Sequence, residues 1–141
     1  MPEESTTPDL VGLTRRLIDA INAGDIDAVM SFYAPDALWE SPPLGTSFAG
    51  VAAIRSFHED WLRAYEEYEI QTEEILDLGN GVVLAVIRQN ARPVGSTGHV
   101  QTRIAVTSEL EDGEIVRVTV SYDIDQARAA AERLAEEREY A

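Results

Sequence analysis

Few residues in this sequence could move a proton near neutral pH: there are two histidines, no cysteine, and eleven basic residues that are all arginine. His58 is the more suggestive histidine. It falls with Ile54, Phe57, Trp61, Leu62 and Tyr65 on one face of a helical pattern, opposite Arg55, Glu59, Asp60, Arg63 and Glu66. An unperturbed imidazole titrates near pH 6.5, which suits general acid–base work, while the competing reading is a histidine packed into the core. His99 opens a later strand near a rim and has no partners at metal-ligand spacing, so neither metal nor cofactor is expected.

Two arginines break an apolar pattern. Arg88 interrupts the Val- and Ile-rich run from Val82 to Arg92, and Arg103 lies opposite it in the next strand. An inward guanidinium is costly unless it meets a carboxylate. That partner is either Glu73 or Glu74, one of which faces inward by alternation, or the carboxylate or oxyanion of a ligand.

These residues depend on a recognisable series of elements. Thr7-Pro8-Asp9 reads as a helix start, followed by the stripe Leu10, Leu13, Leu17, Ile18 and Ile21. After Ala23-Gly24, Asp25 caps a shorter helix through Ile26, Val29, Met30 and Tyr33, which Pro35-Asp36 stops. Ala37 to Ser41 reads as a strand closed by Pro42-Pro43, and the His58 helix follows. The period then becomes that of extended chain. Tyr68 to Leu78 and Val82 to Arg92 flank Gly79-Asn80-Gly81, and His99 to Leu110 and Glu114 to Tyr122 flank Asp112-Gly113. The alanine-rich Asp125 to Arg138 reads as a helical tail. This order predicts an α+β fold: a curved antiparallel sheet with three N-terminal helices packed on its concave face and a cavity between them.

Composition bounds the rest. At 141 residues and 45% hydrophobic content the chain fits one domain: residues 1–7 are expected to be a flexible N-terminus, 8–125 the domain and 126–141 the helical tail. The net charge of −15 disfavours nucleic acid and anionic membranes, because each would add like-charge repulsion. The absence of cysteine and of a basic-then-apolar leader points to the cytoplasm.

The runs LIDAINAGDID, FYAPDALWESP and GVAAIRSFHEDWL, with the hairpin LEDGEIVRVTVSYD, resemble the nuclear transport factor 2-like superfamily, and within it the SnoaL-like and ketosteroid isomerase-like proteins. The resemblance implies that this sheet is a conical, curved antiparallel or mixed one, a cone with a small-molecule pocket, and that a homodimer forms through its outer face. It does not carry the family chemistry over. The steroid isomerase positions for an oxyanion-hole tyrosine, a proton-transferring aspartate and a second donor fall on Leu17, Ser41 and Ala105, and the polyketide cyclase aspartate falls on Val120. In the steroid isomerases a supporting tyrosine stands where His58 does.

If Ser41 faces inward, so does Trp39, and Glu40 faces outward. The same alternation, without a bulge, predicts inner lines of Leu84, Val86, Arg88, Asn90 and Arg92; of Gln101, Arg103, Ala105 and Thr107; and of Val118, Val120 and Tyr122. The candidate catalytic residues are then His58, Arg88, Arg103 and Tyr122. Trp39, Ser41, Phe57, Trp61, Asn90, Gln101 and Val120 would line the ligand site. The expected function is binding of a small hydrophobic or anionic, ring-containing molecule, either with isomerase, lyase or hydrolase chemistry or as a non-catalytic dimeric carrier or sensor.

Overall fold

The computed structural model of this chain describes residues 9–139. The expected flexible segment 1–7 lies outside them, as do Thr7 and Pro8, and the cap of the first helix is Asp9, whose carboxylate accepts from the Gly12 N–H at 2.9 Å. Helix α1 spans Leu10–Asn22, and α2, capped by Asp25, spans Ile26–Met30. Strand β1 covers Tyr33–Ser41, so Tyr33 begins the sheet and does not end the second helix. Its pairing explains the change: Tyr33 stands beside Ile115 in β6, and the register slips between Tyr33 and Leu38, across Pro35 with its missing N–H.

A single 3₁₀ turn at Pro42–Leu44 leads into β2, Thr46–Ala49, a strand the sequence pattern does not announce. Helix α3 is Val51–Arg63, and its last expected member, Tyr65, instead opens β3, Tyr65–Gly79. Strands β4 (Val82–Pro93), β5 (Val100–Glu111) and β6 (Glu114–Ser121) complete the sheet, and α4 spans Ile124–Glu139. The spatial order is β2-β1-β6-β5-β4-β3, with β1 parallel to β6 and every other neighbouring pair antiparallel. The architecture is thus the expected curved α+β cone with a mixed sheet. The β5–β6 turn places Asp112 and Gly113 at φ 53° and 79°, the two successive positive values of a type I′ hairpin turn.

Two apolar layers hold the sheet. On the concave side Leu10, Leu17, Ile18, Val29 and Ile54 pack against Val83, Ala85, Ile87, Ile104, Val118 and Val120. The carboxamide of Asn22 pins α1 to β3 by accepting from the Ile70 N–H at 2.7 Å and donating to the Ile70 carbonyl at 3.0 Å. On the convex side the alanine stripe Ala127, Ala131 and Ala135 of α4 covers Val82, Leu84 and Ala105. Small side chains let the helix approach the sheet closely, and Arg128, donating to Glu74 at 2.8 Å, ties its edge.

One residue decides which side chains reach the inside. In β5–β6, Leu110 pairs with Ile115, but Glu109 pairs with Arg117, so Val116 is an extra, bulged residue. A gap-free count from the turn sets Ala105 beside Val120 and Thr107 beside Val118. Past the bulge the true partners are Val106 with Val120 and Ser108 with Val118. The one-residue slip turns β5 over, and β4 follows because it pairs residue by residue with β5.

Four expected site residues are corrected accordingly: Arg88, Asn90, Gln101 and Arg103 lie on the convex face. Arg88 and Arg103 are cross-strand neighbours there, and both pair with Glu73, at 3.1 and 2.7 Å. Leu84, Val86, Arg92, Ala105 and Thr107 also leave the expected inner lines. Ala105 packs under α4, and Arg92 binds Glu66 and Glu67 at 2.9 and 3.3 Å. The convex face is therefore helix-covered over one part and charged over another, and a homodimer through it would have to form around those ion pairs.

Candidate functional site

A cavity of about 320 Å³ lies between the concave face of the sheet and helices α1 and α3. Its apolar wall comes from Leu17, Ile18 and Ile21 of α1 and from Ala85, Ile87, Ile104, Val106, Val118 and Val120 of the sheet. An aromatic wall runs along α3 and β1. Phe57 lies 4.4 Å from Trp39 and 5.9 Å from Trp61 between ring centroids, and Phe48 stacks on Phe57 at 4.7 Å. Leu44 and Tyr122, 59% and 44% exposed, stand at the rim.

Of the expected residues, the structure brings Trp39, Ser41, Phe57, His58, Trp61, Val120 and Tyr122 together around this cavity. Glu40 points outward as alternation requires and pairs with Arg117. Ser41 is fully buried, and its hydroxyl donates to the Val120 carbonyl at 3.3 Å, so its bond goes to the scaffold.

Helix α3 brings His58 and Trp61, one turn apart, to the cavity. The His58 Nε2 and the Trp61 indole nitrogen are buried and have no hydrogen-bond partner among the described residues. Burial disfavours the imidazolium, pushing the His58 pKa down to about 4, so the ring is neutral at pH 7. His99 lies elsewhere, exposed, 3.1 Å from Glu67. No group of three or more His, Cys, Asp or Glu side chains among the described residues is arranged to hold a metal ion.

Sequence reasoning missed several polar cavity residues: Tyr33, Tyr68, Gln89, Ser108 and Thr14. Burial pushes the hydroxyl pKa of Tyr33 above the ordinary tyrosine range and that of Tyr68 up to about 12, the latter against smaller opposing effects of Trp61 and Gln89. The Thr14 hydroxyl turns back to the Leu10 carbonyl at 2.8 Å, and the Gln89 amide donates to the Tyr68 hydroxyl at 2.6 Å. The signal that could have found Gln89 and Ser108 was the apolar doublet Ile115-Val116, where strict alternation fails. Taken together, the lining holds hydroxyls, one carboxamide, two indoles and a neutral imidazole, and among the described residues no Asp, Glu or Arg.

A six-stranded curved sheet wrapped around N-terminal helices, with a cavity between them, defines the nuclear transport factor 2-like cone. Solved structures agree. A putative polyketide cyclase from Sinorhizobium meliloti is 25% identical with a TM-score of 0.65, over 84% of this chain and 99% of that one. A protein of ketosteroid isomerase-like fold from Catenulispora acidiphila, crystallised with trimethylamine, is 14% identical with a TM-score of 0.72, over 89% and 94%. A putative SnoaL-like polyketide cyclase from Shewanella denitrificans is 14% identical with a TM-score of 0.70, over 89% and 99%. Residues 14–118 match the SnoaL-like domain, and the chain belongs to that family.

Proposed function

We infer that this SnoaL-like domain binds a neutral, ring-containing small molecule in its cone cavity. The observation that carries this reading is the lining itself: aromatic and aliphatic on two walls, with no Asp, Glu or Arg among its described residues. An anionic ligand would need a cation to replace its hydration, and Arg88 and Arg103 bind Glu73 on the opposite face. The net charge of −15 works against anions as well. Flat rings suit the wall formed by Trp39, Phe57 and Trp61.

His58 supports a catalytic extension of this reading. With Nε2 unpartnered at the cavity, it can take a proton from a bound substrate and return it elsewhere on the same molecule, an isomerisation without net change in atoms; the burial that holds the ring neutral also makes it a weaker base than a free imidazole, so the proton it takes must be correspondingly acidic. Among the described residues no Asp or Glu lines the cavity: the residues of β5 that face inward near Ala105 are Ile104 and Val106.

The test is mass spectrometry of organic extracts of protein purified in its native state, paired with tryptophan fluorescence, since both tryptophans line the cavity. A neutral cyclic compound that quenches the emission when added back is the expected result. Recovery of a carboxylate or phosphate ester, or ring compounds that leave the emission unchanged, would sink the reading. For catalysis, His58→Gln should abolish turnover of the recovered compound while it still binds.

A further inference from the structure

The Tyr68–Gln89 pair lies inside the cavity, and its geometry constrains where one proton goes. Tyr68 opens its strand position opposite Ala91, and Ile70, two residues on, stands opposite Gln89, so both aromatic and carboxamide sit on the concave face. The Gln89 Nε2 donates to the Tyr68 hydroxyl oxygen at 2.6 Å. A phenol has one proton to give, and an oxygen that is accepting from an amide turns that proton away from it. Among the described residues the Tyr68 hydroxyl donates to none. Trp61 stands edge-on to the Tyr68 ring at 6.1 Å, which closes one side and brings the unpartnered indole N–H into the same corner. The Tyr68 ring is otherwise held by Tyr65, 5.9 Å away.

We propose that the Tyr68 hydroxyl is the polar anchor of the cavity, donating its proton to a carbonyl oxygen of the bound ring compound, with Gln89 as the positioning residue that aims it. The proposal rests on the cavity being a site for neutral ring compounds and adds the functional group such a compound must carry. A ketone or quinone oxygen suits the corner, because the nearby Trp61 and Tyr68 groups are donors and no arginine stands among the described lining residues to favour an anion. The aliphatic and aromatic side chains that make up most of the remaining lining select for ring surface.

Two neutral three-ring probes separate the anchor from the cavity: 9-fluorenone, which carries one carbonyl, and fluorene, which carries none. Binding to the full chain is read by quenching of Trp39 and Trp61. One neutral hydrogen bond contributes about 1 kcal/mol, so Tyr68→Phe should lower the fluorenone-to-fluorene affinity ratio by roughly fivefold while fluorene itself binds unchanged. Gln89→Leu should lower the ratio less, since the hydroxyl remains but loses its orientation. A ratio unaltered in Tyr68→Phe overturns the anchor and leaves the cavity reading standing. A ratio that rises in Gln89→Leu shows the tyrosine proton to be spent on Gln89 and also overturns it. If neither probe quenches wild-type protein, the cavity reading fails and the anchor fails with it.

Discussion

Lowering the pH from 7.5 to 5 should destabilise this protein through one side chain. His58 is neutral in the folded chain with its pKa pushed down to about 4, whereas in the unfolded chain it titrates at the ordinary 6.5. The unfolded state therefore binds a proton that the folded state refuses, and stability falls as pH drops through 6.5, levelling off below 4. Full development of that shift corresponds to roughly 3 kcal/mol, of which about 2 kcal/mol should be lost by pH 5. Against a typical domain stability of about 5–15 kcal/mol this is readily measured. The window is clean on its acid side. Glu66, Glu67 and Glu73, held low by hydrogen bonds from the Gly95 N–H, His99 and Arg103 respectively, lose their stabilising contribution only as pH falls below the usual carboxylate range. Urea unfolding of wild type and His58→Leu at pH 7.5, 6.5, 5.5 and 5 supplies the assay, the variant reporting every other titration. Wild type should lose about 2 kcal/mol more than the variant across the series, and at pH 7.5 the variant should be no less stable, because an unpartnered polar atom has been removed. Parallel curves would show that the imidazole is hydrated or paired, and the basis for its neutral role would go.

The remaining predictions concern the sheet. Arg88→Ala and Arg103→Ala should each leave ring-compound binding unchanged and cost at most about 1 kcal/mol, as exposed ion pairs do, by fluorescence titration and urea unfolding; a tenfold loss of binding would return them to the cavity. Gly81→Ala should cost several times more than Gly113→Ala in the same unfolding assay. Both glycines have φ near +80°, a conformation costing about 1–2 kcal/mol for other residues, but a Cβ at position 81 would lie 2.4 Å from the Leu110 carbonyl oxygen, whereas at position 113 it meets nothing within 4 Å. Equal costs would mean that the β4 turn yields without strain.

The parts of the fold set by local chemistry were legible in advance. The α1 stripe, the Asp25 cap, the amphipathic His58 helix and the Asp112-Gly113 turn all follow from side-chain period and backbone preference within a few residues. The aromatic wall was legible for the same reason, since α3 presents Phe57, His58 and Trp61 on one face whatever it packs against. Strand β2 was not, because four residues between glycines form a strand only when β1 offers them a ladder.

Alternation placed Trp39, Ser41, Val118, Val120 and Tyr122 inside correctly, but it put the wrong residues of β4 and β5 there. Alternation says which residues share a face, but not which face is inside, and the single bulged residue Val116 reverses the answer for β4 and β5 together. That reversal moved Arg88 and Arg103 from presumed catalytic groups to a pair of ions on Glu73, and it brought Gln89 into the cavity beside Tyr68. Composition and periodicity by themselves determined an acidic α+β fold with a curved sheet and an aromatic helix face over its cavity, and the family resemblance supplied the cone. Only the tertiary structure decided that the described lining of the pocket carries no Asp, Glu or Arg, because hydrogen-bond register is a relation between strands and no one strand encodes it.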